Sequence, residues 1–225
     1  MGRWEPDARG RLERAALELY LERGFERTSV AEIAERAGLT ERTFFRHYAD
    51  KREVLFGGSS ALQELLVRTV ARAPEPASPM EAVMAAVLAA AAVMQERQEH
   101  SRRRQAVIAA NTELQERELI KLASLGAAIA DALRRRGVDE ASASLAAEAG
   151  IAVFKIAFRS WTEQAEQTEQ AADQADQADQ AERAERAEKA GQTGQTGQVE
   201  QGGQKDFTSF VEESFAGLKA VTAGT

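Results

Sequence analysis

Cysteine is absent from the 225 residues, which removes disulfides, thiol nucleophiles and cysteine-based zinc sites together. Histidine occurs only at His47 and His100, without the carboxylate spacing of a metal-binding helix, and no glycine-rich phosphate loop is present. What remains for catalysis is scattered carboxylates on polar helical faces, so the expectation is a non-enzyme with no cofactor and no metal. Long apolar runs are missing too. The longest, Ala82 to Met94, has 13 residues and is mostly alanine, against the ~18 or more of a membrane span. The opening stretch MGRWEPDARG has no apolar core of the kind a signal peptide needs. A soluble cytoplasmic protein with no membrane partner is expected.

Excess positive charge is also missing: the formal net charge is −7. Its location matters more than its sign. Residues 163–204 hold ten acidic and three basic side chains, which leaves the rest of the chain balanced at 26 of each. That segment is rich in Gln, Ala and Glu, with alanine as almost its only apolar residue, so it has no face able to bury a core. Its helix-forming composition favours an extension of the preceding helix into solvent as far as Ala190, after which glycines favour coil.

What is present is a compact run of helix signals from Thr28 to Phe56, TSVAEIAERAGLTERTFFRHYADKREVLF. Ser29 and Glu32 form a capping box. Val30, Ile33, Ala34 and Ala37 follow on one face, and Gly38 ends the turn. Leu39 plugs the corner, and Thr40 caps a second short helix that carries Phe44 and Tyr48 at i and i+4. With both rings turned inward, Glu41, Arg42, Thr43, Phe45, Arg46 and His47 are left outside. These groups are suited to base edges and phosphates in a major groove of double-stranded DNA. Asp50 and Glu53 read as a further capping box opening a helix at Lys51 that runs to about Ala73, its first amides forming a phosphate clamp with Lys51 and Arg52. Upstream, Asp7 caps a helix over Ala8 to Arg23. Three helices thus close around Leu12, Leu19, Phe25, Ile33, Leu39, Phe44 and Tyr48, and Arg3, Arg9 and Arg11 stand either as a minor-groove arm or as a solvated end.

The stretch GFERTSVAEIAERAGLTERTFFRHYADKREVLF resembles the N-terminal domain of the TetR family of bacterial regulators, over roughly Arg9 to Leu55. The resemblance implies an all-α protein with a three-helix helix-turn-helix domain, residues 1–52, and a helical ligand-binding and dimerisation domain, residues 53–225, interrupted by the low-complexity insertion at 163–204. It implies a ligand-responsive regulator, commonly a repressor, acting as a homodimer on a near-palindromic operator. It places Glu41, Arg42, Thr43, Phe45 and His47 towards the bases and Thr28, Arg46 and Lys51 on phosphates, with the cap Thr40 also among the DNA-binding residues. The alternative is a ligand-independent architectural DNA-binding protein.

Downstream, Gly57 and Gly58 interrupt the expected third helix and serve either as a compliant joint or as a close-packing point. Three of the four prolines lie between Ala73 and Pro79, and Ser78, Pro79 and Glu81 then open a helix to about Glu99. Further helices are expected over Arg102 to Ala110, Glu113 to Arg136 and Asp139 to about Gln164. Leu62, Val87, Leu88, Met94, Arg104 and Ile108 are the expected pocket residues for a small-molecule effector. The run RRRQAVIAANTELQERE is similar to an actinobacterial subgroup associated with acyl-CoA-like ligands, whose phosphates Arg102 to Arg104 would suit. Ile151, Phe154, Phe158 and Trp161, with Phe207, Phe210, Val211, Phe215 and Leu218, form two stripes that the resemblance assigns to a four-helix dimer interface.

Overall fold

A computed structural model describes residues 7–188 and 205–223. Among these residues every regular element is helical. The first three are α1 (Ala8–Arg23), α2 (Val30–Arg36) and α3 (Glu41–His47), started by Asp7, Ser29 and Thr40 as their side chains imply. Ser29 and Glu32 make the reciprocal capping box, with the Ser29 amide donating to Glu32 Oε2 at 2.8 Å. Gly38 adopts a φ of 65°, the left-handed turn that lets α2 stop and α3 start at an angle to it.

The expected helix from Lys51 does not form. A 3-10 turn occupies Glu53–Phe56, and α4 begins only at Ser59 and ends at Arg72. Asp50 does accept from the amides of Arg52 (2.8 Å) and Glu53 (3.3 Å), but Glu53 does not close the box. Its carboxylate is drawn instead to Arg117 and to Lys121 at 3.1 Å. Gly57 supports the close-packing reading: a Cβ there would collide with Glu13 Oε1 and stand 2.8 Å from the Tyr48 hydroxyl. Its φ of −54° is one any residue accepts.

The remaining helices are α5 (Pro79–Gln95), α6 (Gln98–Ala109), α7 (Thr112–Arg135), α8 (Glu140–Glu188) and α9 (Phe207–Ala223). The break expected near Glu99 comes earlier, at Glu96 and Arg97, where the chain bends by 100° into α6. Arg136 closes the far end of α4 by donating to the carbonyls of Val70 (3.2 Å) and Ala73 (2.6 Å), a cation on exposed helix C-terminal carbonyls. Helix α8 continues past Gln164 to Glu188, into the segment read as a solvated extension. The glycine-rich part of that insertion lies outside the described residues.

Two cores result. The body core joins α4, α5, α7, α8 and α9, and at Gly150 the close approach of α8 to α5 leaves no room beside Val83 for a Cβ. The head core contains Leu12, Leu19, Phe25, Ile33, Phe44 and Tyr48, as the sequence implies, and also Val54, Leu55 and Phe56 of the 3-10 turn, Val107 and Ile108 of α6, and Leu114 of α7. Packing therefore runs across the expected boundary after Arg52. The stretch Glu140–Gln164 is long and apolar enough by composition to cross a membrane, but its inner face contributes to the body core.

The residues expected at a dimer interface pack inside the protomer. Trp161, Phe207, Val211, Phe215 and Ile151 are buried, and Phe154, Phe158, Phe210 and Leu218 pack against them. Trp161 stacks on Phe207 with centroids 4.6 Å apart. Helix α9 packs back along α8, so the aromatic stripes satisfy each other within one chain. Phe207→Ala should cost about 3–5 kcal/mol in urea denaturation, with a midpoint shift independent of protein concentration. Loss confined to dimer dissociation would place this ring at the interface instead.

Candidate nucleic-acid interface and the cavity behind it

Helix α3 is seven residues long, too short to hold itself together without tertiary support. Thr40 caps it by accepting from the Thr43 amide at 3.2 Å. Phe44 and Tyr48 anchor it in the head core with ring centroids 5.7 Å apart. Glu41, Arg42, Phe45, Arg46 and His47 are consequently exposed and Thr43 half-exposed, with the Phe45 ring 55% exposed. That ring meets Phe44 edge-on, with centroids 5.5 Å apart, but leaves more than half of the residue in solvent, among groups able to reach base edges.

Charge on this face is unengaged. Elsewhere in the head, arginines meet carboxylates: Arg23 with Glu32, Arg36 with Glu22 and Arg52 with Asp50. The Arg52 guanidinium holds the Asp50 carboxyl below its usual range. Among the described residues Arg42 meets no carboxylate, and Arg46 approaches only the neighbouring His47 ring, at 3.4 Å. Two cations on the outer side of one short helix, without internal counter-charges, form a surface ready for phosphates.

Two expected phosphate contacts are corrected. Thr28 is 2% exposed, and its hydroxyl donates to the Gly24 carbonyl at 2.9 Å. Lys51 turns its ammonium onto the carbonyls of Phe25 (2.9 Å), Thr28 (3.1 Å) and Glu26 (3.3 Å), and lies 4.3 Å from the Phe25 ring centroid. The α1–α2 turn leaves these carbonyls without helical partners, and a lysine satisfies them. Arg9, weighed as part of an arm, instead donates to the Tyr48 hydroxyl at 3.2 Å and to the Gly57 carbonyl. Tyr48 in turn donates to Glu13 at 2.7 Å, and burial, reinforced by this carboxylate, pushes its phenol above the ordinary value. The Arg9–Glu13–Tyr48–Gly57 cluster was not foreseen. Its only signal in the sequence is a tyrosine on an inward face, which needs a polar partner.

Behind the head lies a cavity of about 770 Å³ between α4, α5, α6, α7 and α8. Leu62, Leu65, Met94, Leu122, Leu125, Phe154 and Phe158 give it an apolar wall. Arg97, His100, Arg104, Lys121, Lys155 and Arg159 bring basic groups, against Glu13 and Glu118. Burial pushes the His100 imidazole below its usual value; Glu13 opposes this, and the nearby Arg104, Arg97 and Arg103 add to it. Of the expected pocket residues, Leu62, Met94 and Arg104 line the cavity. Val87 is buried where α5 meets α8, Leu88 packs against the body core, and Ile108 is a head-core residue. Arg102 is drawn to Glu99 at 2.8 Å, so the arginine trio contributes one cavity residue, Arg104. The wall nearest the head consists of Val54, Leu55, Phe56 and Gly57, with Glu13 beside them.

Residues 13–56 match the model described as bacterial regulatory proteins, tetR family, and residues 77–185 match the one described as MftR C-terminal domain. The chain is 41% identical over 78 residues to the HTH-type transcriptional regulator TcmR of Streptomyces glaucescens, covering 35% of this chain and 34% of that protein. It is 31% identical over 121 residues to the putative mycofactocin biosynthesis transcriptional regulator MftR of Mycobacterium tuberculosis, covering 54% and 61% respectively. The matched parts thus span less than two thirds of either relative. The solved structure of Thermus thermophilus FadR, a TetR family transcriptional repressor in complex with lauroyl-CoA, is 22% identical with a TM-score of 0.46, covering 92% of this chain and 91% of that one.

The geometry separates contact from scaffold. Arg46→Ala should weaken binding to all DNA sequences and lower the salt slope by about 1, whereas Arg42→Ala should relax preference at one base position per half-site by about 1–3 kcal/mol. Lys51→Ala should instead lower head stability by about 1.5–3 kcal/mol. Salt-dependent binding titrations and thermal melts of the three variants distinguish these roles.

Proposed function

We propose, for a chain that belongs to the TetR family of bacterial regulatory proteins, that it is a ligand-responsive repressor acting in the cytoplasm as a homodimer on a near-palindromic operator. The observation that carries this reading is the outer face of α3. Glu41, Arg42, Thr43, Phe45, Arg46 and His47 are presented together on a helix locked from behind by Phe44 and Tyr48. Arg42, Glu41, Thr43, Phe45 and His47 read bases and Arg46 holds a phosphate. The helix N-terminus favours Glu41 as well, so its contact with a cytosine amine adds to an existing preference.

The second copy covers the outer stripe of α8 and α9. Leu145, Ala149, Ala152 and Ile156 recur at i, i+4, i+7 and i+11 on the side of α8 away from its buried stripe, Ala152 and Ile156 also lining the cavity so that the second copy borders it, and Ala216, Gly217, Ala220 and Val221 continue the surface on α9. Leu145 is 72%, Ile156 50% and Val221 82% exposed, a degree of apolar exposure that favours association. Small residues between them let two helix pairs approach closely, and this is the same helix pair the sequence reading chose, turned to its opposite face.

The effector occupies the 770 Å³ cavity. Apolar walls with a surplus of cations select an amphipathic molecule with an acidic head, a description that acyl-CoA-like compounds fit. Ligand action requires different affinities for the DNA-bound and released forms.

Selection of genomic fragments by the purified protein, followed by footprinting, tests the reading. A symmetric protected inverted repeat is expected, with protection that shifts on adding alkyl acids. A footprint insensitive to any such compound would favour the architectural alternative, and absence of enrichment over random fragments would contradict DNA-binding regulation. Leu145→Asp combined with Val221→Asp should convert a dimer to a monomer in sedimentation and lower operator affinity at least tenfold, because two half-sites are then no longer linked.

A further inference from the structure

The body holds the 3-10 turn at Glu53–Phe56 through charged groups from two helices. On one side Glu53 meets Arg117 and Lys121 of α7. On the other, Arg104 of α6 donates from Nε to the Leu55 carbonyl at 2.6 Å, and its guanidinium lies 4.9 Å from the Phe56 ring centroid.

Of these holders Lys121 and Arg104 both line the cavity; Lys121 is paired with Glu53, whereas Arg104 brings a guanidinium with a single carboxylate neighbour. Its side chain is 21% exposed, and its carboxylate partner is Glu118, 3.4 Å from Nη1 and itself a cavity residue. Burial lowers the guanidinium below its ordinary value, and Glu118 does not fully offset that cost. A guanidinium receives a carboxylate or phosphate through two parallel N–H groups. The edge formed by Nη1 and Nη2 includes the nitrogen next to Glu118, where a second anion is repelled. The edge formed by Nε and Nη2 excludes that nitrogen, and its Nε–H is the group now donating to Leu55.

We propose that Arg104 receives the acidic group of the effector on its Nε/Nη2 edge, so that the incoming anion displaces the Leu55 carbonyl and loosens the body's hold on the 3-10 turn. This rests on the cavity being the effector site. It narrows the acidic head to a carboxylate or phosphate, and it makes Arg104 at once the anion receptor and the release point. The turn so freed leads within five residues to Tyr48 and α3. Neutral alkyl compounds fill the same cavity without releasing it.

The test uses the full chain and two probes with the same tail and different heads, decanoate and 1-decanol, titrated by calorimetry. The parent should prefer decanoate by about tenfold or more. Arg104→Gln should remove that preference by weakening decanoate far more than decanol, and retained decanol binding reports an intact cavity. Arg104→Lys should retain part of it, and Glu118→Gln should tighten decanoate several-fold without affecting decanol. An Arg104→Gln protein that still prefers decanoate overturns the proposal, as does a parent that binds decanol at least as well as decanoate, although the cavity reading then survives. A parent that binds neither probe removes both the proposal and the amphipathic effector.

Discussion

Val54, Leu55 and Phe56 have two duties that cannot be separated. They complete the head core beneath α1 and α3, and they form the wall of the cavity in the body. A seven-residue helix such as α3 has little stability of its own, so its placement depends on the core it rests on. That core includes Ile108 and Leu114 from the body. Any displacement of the wall is therefore a displacement under α3, because close-packed interiors transmit strain.

Polar ties give the shared wall its discrete character. Lys51 fixes the α1–α2 turn, and Arg9, Glu13 and Tyr48 meet around Gly57. Glu53 and Arg104 fasten the turn to α7 and α6. Several of these bonds are half-buried, where losing one partner costs more than it does in water. Such a region favours a small number of arrangements over gradual deformation, which is what a coupled two-state response requires. Gly57 belongs to this arrangement as a point of close approach, since any larger residue would push Glu13 and Tyr48 apart.

Local signals carried much of the fold. Ser29 with Glu32, Thr40, Ser78 with Glu81, and Gly38 each mark a helix limit, and each is found where its chemistry places it. Periodicity also placed Phe44 and Tyr48 inward and left Arg42 and Arg46 outward. What local rules could not resolve was competition between distant partners. Asp50 and Glu53 have the spacing of a capping box, but α7 offers Glu53 two cations. Lys51 has the position of a phosphate contact, but three carbonyls of the α1–α2 turn take its ammonium. Apolar stripes on α8 and α9 identify the helices that pack together without saying whether the packing is within or between chains. Val87 and Ile108 illustrate the same limit for the cavity, because an apolar residue facing inward fits a core and a pocket wall equally well.

Hydrogen exchange on the full chain, with the cavity empty and filled by decanoate, is the most direct test of the shared wall. Faster exchange is expected in the amides of Val54 to Gly57 when decanoate is bound, extending towards Tyr48, with α2 unchanged. A response confined to α5, α7 and α8, with the 3-10 turn unaltered, would contradict it.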